Sequence, residues 1–99
     1  MMTGKERAKL RSIAQNLSPI YQLGKGGITE NVLNGLSEAL EAKELIKISV
    51  LNNADFTAKE IIDELSNKLN AEPISAIGNK IVLYKRSSRE DIKHFEYNE

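Results

Sequence analysis

Between Thr29 and Leu69 the apolar residues change period twice, which restricts this chain to a layered mix of helix and sheet. Val32, Leu33, Leu36, Ala39 and Leu40 recur at helical spacing, as on the inner face of one helix. Ile46, Ile48 and Val50, inside "LIKISVL", alternate with period two, as on one face of a strand. Ala58, Ile61, Ile62, Leu65 and Leu69 return to helical spacing. Thr29 and Thr57 stand where N-caps belong, and Glu60 completes a capping box with Thr57. A helix–strand–helix run of this kind buries its apolar faces by packing helices on a sheet.

The flanks extend the pattern. Thr3 and Glu6 repeat the capping-box spacing, and Leu10, Ile13, Ala14 and Leu17 form the stripe behind it. Pro19 is expected to end that helix, because Ser18 before it is pushed out of the α region. "IYQL", residues 20–23, reads as a short strand. "PISAI", then Gly78-Asn79, then "KIVLYKR" read as strand, two-residue turn and strand. Gly35 costs about 1 kcal/mol inside a helix, so a close neighbour is expected there. The predicted architecture is a compact two-layer α/β domain, order α-β-α-β-α-β-β, with a mixed four-stranded sheet. One domain fills residues 1–89, and residues 90–99 are predicted to be an acidic, flexible tail.

Several function classes drop out. The chain has no cysteine and a single histidine, His94, so the usual zinc sets and thiolate chemistry cannot be assembled. No metal, cofactor or catalytic residue is expected, because no nucleophile–base spacing stands out, and His94 receives no role. No apolar run reaches the roughly 20 residues of a membrane span, and the N-terminus lacks the apolar core of a signal peptide. A cytoplasmic monomer is the expectation.

Formal net charge is zero, but it is unevenly spread. Residues 1–27 hold five basic side chains against one acidic, and residues 28–78 hold four against nine. Residues 79–89 hold Lys80, Lys85, Arg86 and Arg89 with no acid. If the first and third blocks meet in space, the fold has one basic and one acidic face. A mixed, solvated surface is the plainer alternative.

The glycine-rich "GKGGIT" lies between the first strand and the second helix. Glycines let a ligand approach the backbone, the first helical N–H groups lack partners, and the helix dipole favours an anion there. The nucleotide loop G-x-x-x-x-G-K-[ST] is absent, because Lys25 precedes the last two glycines. G-x-G-x-x-G fails at Thr29. What remains is G-x-x-G, Gly24 to Gly27, the length that clamps a nucleic-acid backbone in KH domains. A plain tight turn is the other reading. Thr29 is a cap that can also offer its hydroxyl to a phosphate. Tyr21 can stack on a base or simply pack.

With its flanks included, the chain resembles the CRM domain (chloroplast RNA splicing and ribosome maturation), whose stand-alone bacterial members are YhbY-like proteins. "GKGGITENV", "ALEAKELIKI" and "IGNKIVLY" are the specific pieces, and the resemblance spans residues 2–89. It implies a fold similar to the C-terminal domain of translation initiation factor three. It also implies RNA binding rather than catalysis, with ribosomal RNA in precursors of the large ribosomal subunit as partner. The implied RNA-binding residues are Gly24, Lys25, Gly26, Gly27 and Thr29, beside a basic surface of Lys5, Lys9 and Arg11, with Lys80, Lys85 and Arg86 at the final strand. The alternative is a protein-interaction module that meets a basic partner, such as a ribosomal protein, through Glu38, Glu41, Asp63 and Glu64.

Overall fold

Three threonines start the three helices in the computed structural model, which describes residues 2–95. Thr3 and Glu6 close a reciprocal capping box, with bonds of 2.9 and 3.1 Å, at the head of α1 (Gly4–Ala14). Thr29 Oγ1 accepts from Val32 N–H at 3.2 Å to open α2 (Glu30–Lys43). Thr57 and Glu60 form a second capping box at the head of α3 (Ala58–Leu69). Asn70, left-handed at φ 54°, ends α3, a role asparagine tolerates. α1 stops at Ala14, earlier than Pro19 requires. The N–H groups of Gln15, Asn16 and Leu17 each donate to a carbonyl three residues back, so the chain tightens into turns that leave Leu17 packed beside α1.

The strands are β1 (Tyr21–Leu23), β2 (Leu45–Val50), β3 (Glu72–Ile77) and β4 (Lys80–Tyr84), in the spatial order β1-β2-β4-β3. β1 and β2 run parallel, joined by the α2 crossover, and the other two pairings are antiparallel. Gly78, at φ 60°, starts the tight turn between β3 and β4. The sheet is mixed and four-stranded, as expected.

Strand parity sorts the core into two clusters. Ile46, Ile48, Val50, Ile81 and Leu83 pack with Leu36 and Leu40 of α2 and with Ile61, Ile62, Leu65 and Leu69 of α3. Leu45, Ile74, Val82 and Tyr84 point the other way, toward Leu10 and Ala14 of α1. Helices therefore lie on both faces of the sheet, where two layers were expected. The reason is that β4 is apolar at four successive positions, Ile81 to Tyr84, so neither of its faces can be left to water. Gly35 lacks a side chain where one would meet the Tyr21 ring, 3.1 Å from Cε2, which is the close neighbour the sequence asked for.

The chain beyond β4 is held by Glu44, the fully buried C-cap of α2. Its carboxylate accepts from Ser87 N–H at 2.7 Å, from Phe95 N–H at 2.8 Å and from His94 Nδ1. Burial pushes this carboxyl up, but the bonds from His94 and the two amides outweigh burial and hold its pKa below the ordinary value. Glu44 sits at φ 66°, a costly conformation for a residue with a side chain, and its bonds keep it there. Glu41 binds the same segment through Ser87 and Ser88. The predicted tail thus makes these contacts as far as Phe95, and its residues 96–99 lie outside the described residues.

Candidate nucleic-acid interface

The loop at residues 24–27 leaves the sheet at the C-terminal end of β1. Gly27 N–H donates to Gly24 O at 3.0 Å, closing a turn with Lys25 and Gly26 exposed at its tip. Its glycines are there for different reasons. Gly27 has φ 71°, which a side chain rarely adopts. A Cβ on Gly24 would lie 3.3 Å from Asn53 Oδ1 and 3.4 Å from Leu51 Cδ1. Gly26 has neither constraint: its φ is ordinary, and no atom lies within 4 Å of where a Cβ would stand. Nothing inside the domain explains its missing side chain.

The loop is braced by two others. Leu51 N–H donates to Leu23 O at 2.8 Å, and Val50 N–H donates to Asn79 O at 2.7 Å. Loops 24–27, 51–57 and 78–79 therefore gather at one end of the sheet. Thr29 opens α2 directly behind the glycines, and its hydroxyl oxygen is already used to cap Val32 N–H. Glu30 in the first turn complements the same helix dipole that would attract a phosphate.

The predicted cations divide between the two ends of the sheet. Arg11, near the end of α1, lines a groove with Lys80 at the start of β4. The first and third basic blocks do meet there. Lys80 Nζ also reaches Asn79 Oδ1 at 2.9 Å, beside the turn. Lys85 and Arg86 follow β4 at its other end, about 17 Å from Lys80 at strand rise. Lys5 lies toward that far end too, because Arg7 of the same helix turn bonds Pro73 and Glu72, which pair with Leu83 and Tyr84. Lys9 is half-buried midway along α1. Arg7 fastens α1 to β3 through Pro73 O at 3.1 Å and Glu72 at 3.5 Å. Tyr21, half-buried against Gly35, is occupied in packing. On the acidic side, Glu38, Asp63 and Glu64 are exposed, whereas Ser88 and Ser87 hold the Glu41 carboxyl below its ordinary pKa.

Sequence reasoning passed over two residues. Lys47 is the polar member of an apolar strand, and alternation puts it on the face opposite Ile46 and Ile48, where it joins Arg11 and Lys80. The signal was its parity. Glu44 was legible only as an oddity, an acid at a helix C-terminus, where the dipole disfavours one.

The family described as CRS1 / YhbY (CRM) domain matches residues 2–85. The chain is 46% identical over 87 residues to "Probable RNA-binding protein YqeI" of Bacillus subtilis, covering 88% of this chain and 91% of that one. It is 33% identical to an "RNA-binding protein" of Haemophilus influenzae, covering 93% of each. The solution structure of a hypothetical Staphylococcus aureus protein, described as a candidate RNA binding protein, superposes with a TM-score of 0.77. That match is at 43% identity and covers 92% of this chain and 95% of the other. No helix among the described residues is long and apolar enough to cross a membrane.

Proposed function

The chain belongs to the CRS1 / YhbY (CRM) domain family, and from that membership and the shape of its glycine loop we propose that it binds structured RNA through the sugar-phosphate backbone. Its role is binding rather than catalysis, in the cytoplasm and as a monomer. The RNA is ribosomal, in precursors of the large subunit, and the protein assists their assembly.

The observation that carries the reading is Gly26. A glycine that neither backbone conformation nor internal space requires, exposed beside Lys25 at the tip of a turn, leaves room for something outside the domain. Lys25 supplies the charge, Gly24 and Gly27 hold the turn, and the start of α2 supplies the dipole. Lys80 adds attraction at the same end, and Arg11 and Lys47 add it in the groove beside Lys80. Lys5, Lys9, Lys85 and Arg86 lie further along α1 or at the far end, and are reached by a longer RNA that runs down the domain. Contacts of this kind position an RNA without reading its sequence.

The test is binding of large-subunit ribosomal RNA across a salt series, with wild type beside Lys25→Glu. The expected result is affinity that falls steeply with salt and roughly tenfold or more weaker binding by the variant, with its fold unchanged by circular dichroism. Equal, weak binding by both proteins would overturn the proposal.

A further inference from the structure

The groove between the end of α1 and the open half of the sheet has a composition that backbone binding does not explain. Its volume is about 330 Å³. That is at the small end of ligand sites, which run from roughly 300 to 1,000 Å³. Arg11, Lys47 and Lys80 stand around it with no carboxylate among the lining residues, and Gln15 adds an amide. The rest is apolar. Val82 lies at its floor, and Ile77 beside it is 67% exposed, the most exposed large apolar side chain among the described residues.

Phosphates have no use for an apolar wall, and a basic peptide would be repelled by three cations. A nucleotide has both parts the groove fits, an anionic phosphate and a flat, largely apolar base. Bases inside a duplex are stacked on their neighbours, so only an unpaired one can lie on a protein surface. The groove also lies within reach of an RNA strand held at the glycine loop. Lys80 pairs with Ser49 and Ser49 with Gln22, which places Lys80 two strands from β1, about 10 Å at the usual strand spacing. Gln22 is two residues before Gly24.

We infer that this groove takes an unpaired nucleotide of the same RNA strand that the glycine loop holds. The base lies on Ile77 and Val82, and the flanking phosphates face Arg11, Lys47 and Lys80. The ligand is therefore a junction between paired and single-stranded RNA. This inference rests on the RNA-binding reading above.

The experiment measures fluorescence anisotropy with two probes, a blunt RNA duplex and the same duplex carrying a short uridine overhang. Wild type, Ile77→Ser and Lys47→Gln are compared by the ratio of the two affinities. Ile77 is exposed enough for its substitution to leave the fold intact, which an amide NMR spectrum checks. Wild type is expected to favour the overhang by roughly fivefold, near the lower end of what base stacking on an aromatic ring supplies, because isoleucine is aliphatic. Both variants are expected to bring that ratio close to one. A wild-type ratio of one, or a preference that survives in both variants, would overturn the groove while leaving backbone binding standing. Failure of wild type to bind either probe would overturn both readings together.

Discussion

Gly26 and Gly27 are neighbours with opposite physical requirements, and the difference is measurable. Gly27→Ala forces a side chain into φ 71° and is expected to cost about 1–2 kcal/mol of stability. Gly26→Ala meets no atom and no unusual φ, so its melting temperature is expected to hold or rise slightly, from lost freedom of the unfolded chain. Its affinity for RNA is nonetheless expected to fall, because the added methyl occupies the approach to the backbone. Thermal melts beside RNA titrations separate the two effects. If Gly26→Ala keeps full affinity, the glycine is incidental. Glu44 makes a second prediction, on pH. Its folded pKa is lowered, so its contribution is fully present above the ordinary value of 4.5 and is lost as pH falls through the lower folded value. Glu44→Gln is expected to cost about 1–3 kcal/mol at neutral pH, because it leaves buried donors poorly matched. Its urea midpoint should then depend less on pH than wild type over the acid range below 4.5. Parallel acid profiles would show that Glu44 does not set acid stability.

Among the elements, α2 has two tasks at its first residue. Thr29 caps the helix, and its position behind the glycines puts any charge placed there next to the loop. Thr29→Ala is expected to lower stability by roughly 1 kcal/mol. Thr29→Asp retains a capping oxygen and should keep stability, yet bind RNA more weakly through repulsion of phosphate. Chemical denaturation with RNA titration distinguishes a helix end that only folds from one that also faces the ligand. An aspartate variant with wild-type affinity would take Thr29 out of the interface. At the other helix end, α2 passes into β2 through a buried acid instead of a glycine. The fold tolerates this because Glu44 accepts from three donors contributed by residues 87, 94 and 95.

For the whole molecule, the arrangement of charge matters more than its sum. Net charge is zero, yet Lys25 and Lys80 share one end of the sheet, Arg11 and the mid-strand Lys47 line the groove beside Lys80, and the carboxylates Glu41 and Glu44 are engaged by the C-terminal segment. For an RNA short enough to cover that end and the groove alone, Lys47→Gln is expected to reduce the slope of log affinity against log salt by about 0.7–0.9. Lys85→Gln, at the far end of β4, should leave the slope where it was. Equal changes in both variants would mean that the RNA spans the whole domain.

What the sequence determined alone is what depends on near neighbours along the chain. Caps at Thr3, Thr29 and Thr57, the stripes of α2 and α3, the β3–β4 turn at Gly78 and the need for a neighbour at Gly35 follow from spacings of a few residues. The loop motif was legible for the same reason. Tertiary structure alone decided that β4 inserts between β2 and β3, that α1 closes the second face, and that the cations divide between two ends. It alone brought Lys47 to Arg11 and Lys80, and tied Glu44 to a segment about fifty residues away. Local periodicity tells which side of its own element a residue occupies. Its partner across the sheet depends on strand order and register, and these are set by burial summed over the whole chain.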